Sequence, residues 1–261
     1  GALGMIVYIF IVWSERSKGI ANMLEPLVAM VSAICACAVA AHIDASVDIR
    51  LAVLSSIIVL IPGLALTIGL QELSARHLVS GTAKVMDAIM MLFKLYFGAF
   101  VGVELGYNLF GKVPFETGTG LPPWTAWLAI LTLGCSLVIA FRTRRRHIIW
   151  SLAIGFVAYA SSHYGSVYFD LGIGAFIGAF MVGLYGNMFT HLANAPAVIV
   201  TMQGLIVLVP GSKTFIGLNS YIAGEGFAYA DTAGQQSLII LMSLVAGLIF
   251  ANSALPPKKS L

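Results

Sequence analysis

The stretch from Ile58 to Gln71 reads IVLIPGLALTIGLQ and places a Pro-Gly pair, Pro62 and Gly63, inside an apolar run. Proline removes a backbone hydrogen-bond donor and clashes with the preceding turn, whereas glycine tolerates almost any backbone angle. A helix is therefore expected to break at this pair. Non-helical backbone persists at membrane depth only where it is buried in protein or lines a wet cavity, so the break predicts a ligand site.

The same pattern recurs at residues 206–219, which read IVLVPGSKTFIGLN. At an offset of 148 the two stretches share eight identical residues in fourteen, and Pro62 and Gly63 align with Pro210 and Gly211. Such self-similarity indicates an internal duplication. A single Pro-Gly pair is readily explained as a kink between packed helices, but its duplication favours a functional break.

Composition places the chain among integral membrane proteins. Hydrophobic residues make up 59% of the chain and charged residues 10%, against about 25% charged residues in soluble domains. The net charge of +3 is not a sign of nucleic-acid binding, because the basic residues lie in short loops. Cys35, Cys37 and Cys135 lie inside apolar runs, which argues against a disulfide or a metal site. No cofactor and no metal are expected.

Nine apolar stretches are long enough, or nearly so, to cross a bilayer, which requires roughly 20 residues. They cover residues 1–13, 24–42, 49–73, 84–109, 124–141, 147–164, 168–189, 195–219 and 235–254. Because the chain begins with Gly and the first stretch is short, we expect a preceding segment that completes this span. The expected fold class is an all-α, polytopic helical membrane bundle.

Basic residues in the loops predict the orientation, because cytoplasmic loops collect Lys and Arg. Ten basic residues fall on one side: Arg16, Lys18, Arg76, Lys84, Arg142, Arg144, Arg145, Arg146, Lys258 and Lys259. Three fall on the other side: Arg50, Lys112 and Lys213. The C-terminus is therefore predicted to be cytoplasmic.

The duplication and this topology together predict two repeats. The first covers residues 1–110 and lacks its first helix, an external linker covers 111–123, the second repeat covers 124–255, and a cytoplasmic tail covers 256–261. Because five helices is an odd number, the two repeats face opposite ways. The prediction is an inverted repeat whose two broken helices meet near the membrane midplane.

Leu60, Pro62, Gly63, Leu66, Thr67, Gly69 and Leu73, followed by Ser80 and Gly81, resemble the signature of the threonine/serine exporter family. The second Pro-Gly helix with Gly217 and Leu218 resembles that family's C-terminal half. The resemblance implies a ten-span exporter of small hydroxy amino acids in the bacterial inner membrane, driven by the proton gradient as an antiporter. A related branch is a succinate exporter with its halves on separate chains. Here one chain holds both halves, which favours the amino-acid branch.

Polar residues inside the spans give candidate site residues, since ionisable groups in a bilayer are costly and usually functional. Lys84, Asp87 and Lys94 share one helical face at spacings of three and seven. Asp87 is a candidate proton carrier and Glu72 is the next, while Lys94 is expected to pair with Asp87 or with a substrate carboxylate. The alternative is that Lys84 and Asp87 form an interfacial pair that extends to the lipid headgroups.

Further candidates surround the two breaks. Those predicted to bind substrate are Pro62, Gly63, Thr67 and Gln71 at the first break, and Gln203, Pro210, Gly211, Lys213, Thr214 and Asn219 at the second. A freed helix end beside a cation suits a carboxylate, and amides suit a zwitterion. Asn187, His191 and Asn194 follow one another around a span end, where His191 is more simply an interfacial histidine.

Enzymes and channels are the competing classes. The sequence contains no HExxH zinc motif, no GxSxG elbow and no GxxxxGK[ST] loop, so no enzyme is expected and no catalytic residue is assigned. A channel stays open as an alternative because broken helices also build pores. The expected partners are a small amino acid or organic acid, protons and membrane lipid, with a homo-oligomer as an option and no nucleic acid.

Overall fold

A computed structural model describes residues 2–14, 23–42, 48–74, 76–111, 122, 124–209 and 227–258 of the chain. Within these ranges every regular element is helical. Five of the predicted substrate residues, Pro210, Gly211, Lys213, Thr214 and Asn219, lie outside the described residues.

The helices follow the apolar stretches of the sequence. In the described ranges they are α1 (Ala2–Ser14), α2 (Leu24–His42), α3 (Ile49–Ile57), α4 (Gly63–Ser74), α5 (Leu78–Phe110), α6 (Thr125–Ala140), α7 (Ile148–Tyr168), α8 (Leu171–Ala193), α9 (Val198–Leu208) and α10 (Phe227–Ala254). Two 3-10 turns cover Ile58–Leu60 and Arg145–His147.

Within the described residues, four helices are long and apolar enough to cross a membrane. They are α2, α5, α8 and the part of α10 from Gln236 to Ala254. The broken pair Leu51–Leu60 and Gly63–Leu73 makes a fifth if it is counted as one span. The all-α membrane class is therefore confirmed for this part of the chain. The nine-span count and the inverted repeat stay predictions. α1, α6 and α9 are apolar but shorter, with 13, 16 and 11 residues, and α7, at the predicted span 147–164, is not among the helices apolar enough to cross.

The helix breaks at Pro62 as predicted. The 3-10 turn that follows α3 ends at Leu60, Ile61 is extended with φ −70° and ψ 121°, and α4 begins at Gly63. A residue before proline avoids the α-helical region because the proline ring collides with its amide and Cβ. Pro62 and Gly63 are both buried.

The helix before the second Pro-Gly pair ends in the same way. α9 ends at Leu208, and Val209 is extended with φ −62° and ψ 129°. These angles lie close to those of Ile61, the position that aligns with Val209 in the sequence. The two aligned positions therefore share one backbone conformation, which the following proline favours in both.

Residue contacts divide the chain into two compact units. The first unit comprises Gly1–Pro62, Met86–Gly120 and Gly211–Ala233, and the second comprises Gly63–Val85, Leu121–Pro210 and Gly234–Leu261. Each unit combines segments from both halves of the sequence. The predicted division into two sequence repeats stays a prediction, because compact units reflect contacts and not descent.

In the first unit, glycines hold α5 close to α2. A Cβ added to Gly98 would lie 2.1 Å from the carbonyl oxygen of Pro26, and one added to Gly102 would lie 2.4 Å from that of Met30. Helix backbones approach this closely only where one of them lacks side chains. The approach fixes which residues of α2 lie beside which residues of α5.

In the second unit, glycines of α8 bring α9 and α10 close. A Cβ added to Gly183 would lie 2.5 Å from the Cβ of Ala251 on α10, and one added to Gly186 would lie 2.2 Å from Cγ2 of Thr201 on α9. The C-terminal half of α8, the first turns of α9 and the end of α10 are therefore neighbours. They surround the cavity described next.

Candidate functional site

A cavity of about 320 Å³ lies in the second unit, where residues of α4, α8, α9 and α10 come together. Its lining residues are Gln71, Gly183, Asn187, Pro196, Ala197, Val198, Thr201, Met202, Leu205, Leu248, Asn252 and Pro257. Four of them carry neutral polar side chains and none is charged. Apolar walls with a few polar groups are typical of small-molecule sites.

Asn187 organises one wall of this cavity. Its side chain is only 3% exposed, and its Nδ2 donates to Oδ1 of Asn252 at 2.9 Å and to the carbonyl oxygen of Leu255 at 2.7 Å. A buried amide requires such partners, and the close approach of α8 to α10 supplies them one turn beyond Gly183. Asn187 therefore positions Asn252 and the end of α10.

The last described residues are bound to the end of α8. The backbone N–H of Lys258 donates to Oγ1 of Thr190 at 3.0 Å, and Nζ of Lys258 donates to Oδ1 of Asn194 at 3.0 Å. The Nε2 of His191 lies 3.1 Å from the carbonyl oxygen of Pro256. The structure thus gives His191 a local role in holding the chain, in line with its simpler interpretation.

We call residues 255–258 the C-terminal strap. Pro257 of this strap forms part of the cavity wall, and Asn187 holds its first residue through the carbonyl oxygen of Leu255. The structure therefore brings the predicted group of Asn187, His191 and Asn194 together. All three side chains contact the C-terminal strap.

The N-terminus of α9 faces the cavity. Ala197, which precedes α9, supplies no side-chain cap, and Pro196, Ala197 and Val198 all line the cavity. Thr201 also lines it, and its hydroxyl donates to the carbonyl oxygen of Ala197 at 3.0 Å. The N–H groups of Ile199 and Val200 already bond the carbonyl oxygens of Pro196 and Ala197. The N–H groups of Ala197 and Val198, together with the helix dipole, make this terminus attractive to an anion.

The predicted residues of the first break divide into two groups. Gln71 lines the cavity, whereas Pro62, Gly63 and Thr67 do not. Thr67 is buried, and its hydroxyl donates to the carbonyl oxygen of Gly63 at 3.1 Å. This is the ordinary bond of a helical threonine hydroxyl to the carbonyl oxygen one turn before it.

Gln203 is buried on α9, with 1% of its surface exposed, but it is not among the residues that line the cavity. Its Nε2 donates to Oγ1 of Thr143 at 3.1 Å, which ties α9 to the connection between α6 and α7. Its Oε1 is buried and has no hydrogen-bond donor among the described residues. The structure thus places Gln203 outside the cavity to which Gln71 contributes.

His147 lies in the turn before α7. Burial, together with the charges of Arg146 and Arg144, lowers the pKa of His147 below its usual value. Its Nε2 accepts a hydrogen bond from Nε of Arg146 at 2.8 Å, which only the neutral ring can do. The ring also packs edge-on against Phe189 of α8, with 5.1 Å between ring centroids.

Lys84 pairs with Glu72 instead of Asp87. Glu72 on α4 accepts hydrogen bonds from Nζ of Lys84 and from Oγ of Ser80. The pair forms because glycines let α4 and α5 touch: a Cβ added to Gly81 would lie 2.9 Å from the carbonyl oxygen of Gly69. The predicted interfacial partner, Asp87, is exposed.

Lys94 pairs with Glu25 instead of Asp87. In the first unit, Nζ of Lys94 lies 3.8 Å from Oε2 of Glu25 on α2, with 40% of the Lys94 side chain and 14% of the Glu25 side chain exposed. The Oε2 atom is buried and has no hydrogen-bond donor among the described residues. The contact of Gly98 with Pro26 sets this pairing, since it aligns the first turn of α2 with the middle of α5.

Sequence reasoning does not identify Glu25, Thr201 or Asn252. Glu25 carries a usable signal, because it is a carboxylate within an apolar stretch of span length. Thr201 and Asn252 carry none, since isolated neutral polar residues occur throughout the predicted spans and only packing shows which of them share a cavity.

Family models and curated relatives agree with this membrane architecture. Two models of the threonine/serine exporter (ThrE) family match residues 1–106 and residues 125–254. Pheromone-regulated membrane protein 10 of Eremothecium gossypii is 26% identical over 206 residues, covering 76% of this chain and 27% of that protein. Its namesake in Kluyveromyces lactis is 22% identical over 245 residues, covering 91% of this chain and 25% of that protein.

The chain spans about a quarter of the length of these two relatives. The protein of the same name in Saccharomyces cerevisiae S288c is 22% identical over 220 residues, covering 81% of this chain and 56% of that protein. No solved structure matches the chain. Because the two family models together account for residues 1–106 and 125–254, the chain belongs to the threonine/serine exporter family of membrane proteins.

Proposed function

We propose that the chain is a secondary transporter that exports threonine or serine from the cytoplasm in exchange for protons. Family membership supports export across a membrane. The observation that carries the choice of substrate is the uncharged polar cavity at the N-terminus of α9.

The size of the cavity suits a small amino acid. Its volume is about 320 Å³, and one water molecule occupies roughly 30 Å³ in the liquid. About ten water molecules would fill it. An amino acid with a short side chain therefore fits there with several waters beside it.

The polar groups of the cavity suit one carboxylate. The N-terminus of α9 at Ala197 and Val198 offers backbone N–H groups and a positive dipole end to a carboxylate. The amides of Gln71 and Asn252 and the hydroxyl of Thr201 offer partners to an ammonium group and a hydroxyl. Succinate has a second carboxylate, for which the lining supplies no cation, so the cavity favours an amino acid over a dicarboxylate.

The location and orientation are part of the proposal. The excess of basic residues on one side supports a cytoplasmic C-terminus, and the resemblance to the exporter family implies the bacterial inner membrane. In that orientation the strap, the end of α10 and the start of α9 lie toward the cytoplasm. The cavity is then the entrance for substrate that leaves the cell.

Exchange with protons requires an acidic residue that gains and loses a proton during the cycle. Glu72 and Asp87 are the two candidates predicted from sequence. Glu72 already accepts hydrogen bonds from Lys84 and Ser80. Asp87 is exposed and has no ion-pair partner within the described residues. The variant Asp87→Asn removes the ionisable group and so tests Asp87 as the proton carrier.

Substrate counterflow in proteoliposomes tests the proposal. Liposomes preloaded with unlabelled threonine or serine should take up labelled threonine, whereas liposomes preloaded with succinate should not. Stoichiometric exchange with succinate would indicate the dicarboxylate alternative. Flux that does not depend on an internal substrate would indicate a channel.

A matched pair of variants tests the cavity itself. Thr201→Val keeps the side-chain shape and removes a hydroxyl worth about 1 kcal/mol to a ligand, so the KM for threonine should rise about fivefold. Thr132→Val is the control, because Thr132 is exposed on α6 and its hydroxyl likewise bonds only its own helix, at the carbonyl oxygen of Ala129. Equal KM values for the two variants would rule out Thr201 as a substrate contact.

A further inference from the structure

Four arginines lie in the short connection between α6 and α7. They are Arg142, Arg144, Arg145 and Arg146, and all four are exposed. We call residues 142–147 the arginine loop. Among the described residues, the side chains of Arg142, Arg144 and Arg145 form no hydrogen bond and no ion pair. Like charges this close together repel one another, so an anion bound among them would stabilise the loop.

The second unit, which contains the loop, does not supply this anion. Its sequence includes two acidic residues, Glu72 and Asp170. Glu72 already accepts hydrogen bonds from Lys84 and Ser80. Asp170 follows the far end of α7, roughly 30 Å from the loop by the length of that 21-residue helix. The anion therefore has to come from outside this unit.

The arginine loop follows an apolar helix that is slightly shorter than a bilayer core. α6 has 16 residues and is about 24 Å long, against about 30 Å for the hydrocarbon core. A helix of this length keeps its flanking residues close to the lipid headgroups. Trp124, which precedes α6, is exposed, and a tryptophan and a basic cluster at opposite ends of an apolar helix are typical of the two membrane interfaces. The arginines are therefore expected at the level of the lipid phosphates.

Contacts with two neighbouring helices hold the backbone of the loop. Arg142 has a left-handed φ of 47°, a conformation that ends many helices. Oγ1 of Thr143 accepts a hydrogen bond from Nε2 of Gln203 on α9 at 3.1 Å. The His147 ring packs edge-on against Phe189 of α8, with 5.1 Å between ring centroids. Because the loop is already ordered, binding a ligand there costs less conformational entropy.

We propose that the arginine loop binds the phosphate of an anionic lipid headgroup. The planar guanidinium group of arginine can donate two parallel hydrogen bonds to phosphate oxygens. A zwitterionic lipid also has a phosphate, but the arginines repel its cationic end, so a headgroup without a cation is favoured. Since the loop is bound to α8 and α9, the headgroup also holds these two cavity-lining helices at the membrane surface. The inference does not depend on which substrate is carried.

Energy transfer from tryptophan to phosphatidylglycerol with a fluorescent acyl chain tests the proposal, because Trp150 lies in the first turn of α7, next to the loop. The purified full chain is kept in an uncharged detergent, and unlabelled compounds compete with the probe. Unlabelled phosphatidylglycerol should displace the probe, and phosphatidylcholine with the same acyl chains should need about tenfold more lipid. Inorganic phosphate at the same concentration should not displace it. Equal displacement by the two lipids, or displacement by inorganic phosphate, would overturn the choice of an anionic lipid.

A matched pair of glycine variants separates a site from general charge attraction. Arg142→Gly removes a charge, and glycine adopts the left-handed conformation of this position without steric cost. The Tm in detergent without lipid should therefore not fall, whereas the Kd for phosphatidylglycerol should rise about fivefold. Arg76→Gly is the control, because Arg76 is also exposed and has a φ of 65°, but lies in the connection between α4 and α5. Its Kd should equal that of the unmodified protein.

Equal Kd values in Arg142→Gly and Arg76→Gly would show attraction by net charge alone and would overturn the proposal. A double variant, Arg144→Gln with Arg145→Gln, leaves Arg142 in place and decides the question even if Arg142→Gly proves unstable. Its Kd should rise about 25-fold if the two charges contribute independently, and an unchanged Kd would likewise overturn the proposal. These outcomes leave the proposed function intact, because threonine counterflow tests that function separately.

Discussion

Replacing Asn187 with Asp tests whether one buried amide holds the C-terminal strap. Asn187 donates two hydrogen bonds, to Oδ1 of Asn252 and to the carbonyl oxygen of Leu255. An ionised aspartate cannot donate a hydrogen bond. Oδ1 of Asn252 and the carbonyl oxygen of Leu255 would then each face a carboxylate oxygen instead of an N–H group. At about 1 kcal/mol for each lost bond, the segment from Asn252 to Lys258 should lose about 2 kcal/mol of local stability.

Hydrogen exchange of the C-terminal peptide measures this loss. The N–H of Lys258 is bonded to Thr190, and its exchange requires the strap to open. A loss of 2 kcal/mol should accelerate the exchange about thirtyfold. Asn108→Asp is the control, because Asn108 is exposed and donates one bond within α5. Unchanged exchange at Lys258 in Asn187→Asp would refute the view that Asn187 anchors the strap.

Three further predictions concern packing, pH and the break. Gly98→Ala should cost about 1–3 kcal/mol of stability, seen as a lower Tm in detergent, because its Cβ would lie 2.1 Å from the carbonyl oxygen of Pro26; Gly155→Ala, whose nearest atom is 3.7 Å away, should not lower the Tm. Because the pKa of His147 is lowered in the folded protein, the Tm should fall as the pH drops below about 6.5 toward that lowered pKa, and His147→Gln should flatten this part of the profile. Replacing Pro62 and Gly63 with two alanines should let the helix continue through the break without preventing membrane insertion. Counterflow should then fall sharply, because the break is proposed to shape the ligand site. Counterflow at the parental rate would show that the break is only a kink.

The broken helix was predictable because its cause is local. Proline excludes the residue before it from the helical region whatever surrounds it, and Ile61 and Val209 both adopt the extended conformation that follows. Helix positions were predictable for a similar reason. An apolar stretch in a membrane has no water to bond its backbone N–H and C=O groups, so these groups must bond one another within a helix. The limits of α5 were less predictable from the sequence, because the helix begins at Leu78, six residues before the predicted span of residues 84–109.

The partners of the charged residues were not predictable from helical spacing. Spacing places Lys84, Asp87 and Lys94 on one face of α5, but it does not show which other helix meets that face. Glycine contacts decide this, because they set where α4 and α2 approach α5, and Lys84 and Lys94 consequently pair with Glu72 and Glu25. The cavity depends in the same way on contacts of α8 with α9 and α10, between residues far apart in the sequence.

Export of a small amino acid in exchange for protons is tested most directly by uphill transport in proteoliposomes. Liposomes with the full chain, an acidic interior and a more alkaline exterior are given labelled L-threonine. The account predicts that threonine accumulates inside above its external concentration and that a protonophore abolishes this accumulation. Threonine that only equilibrates across the membrane, at the same rate with and without the pH difference, would contradict it.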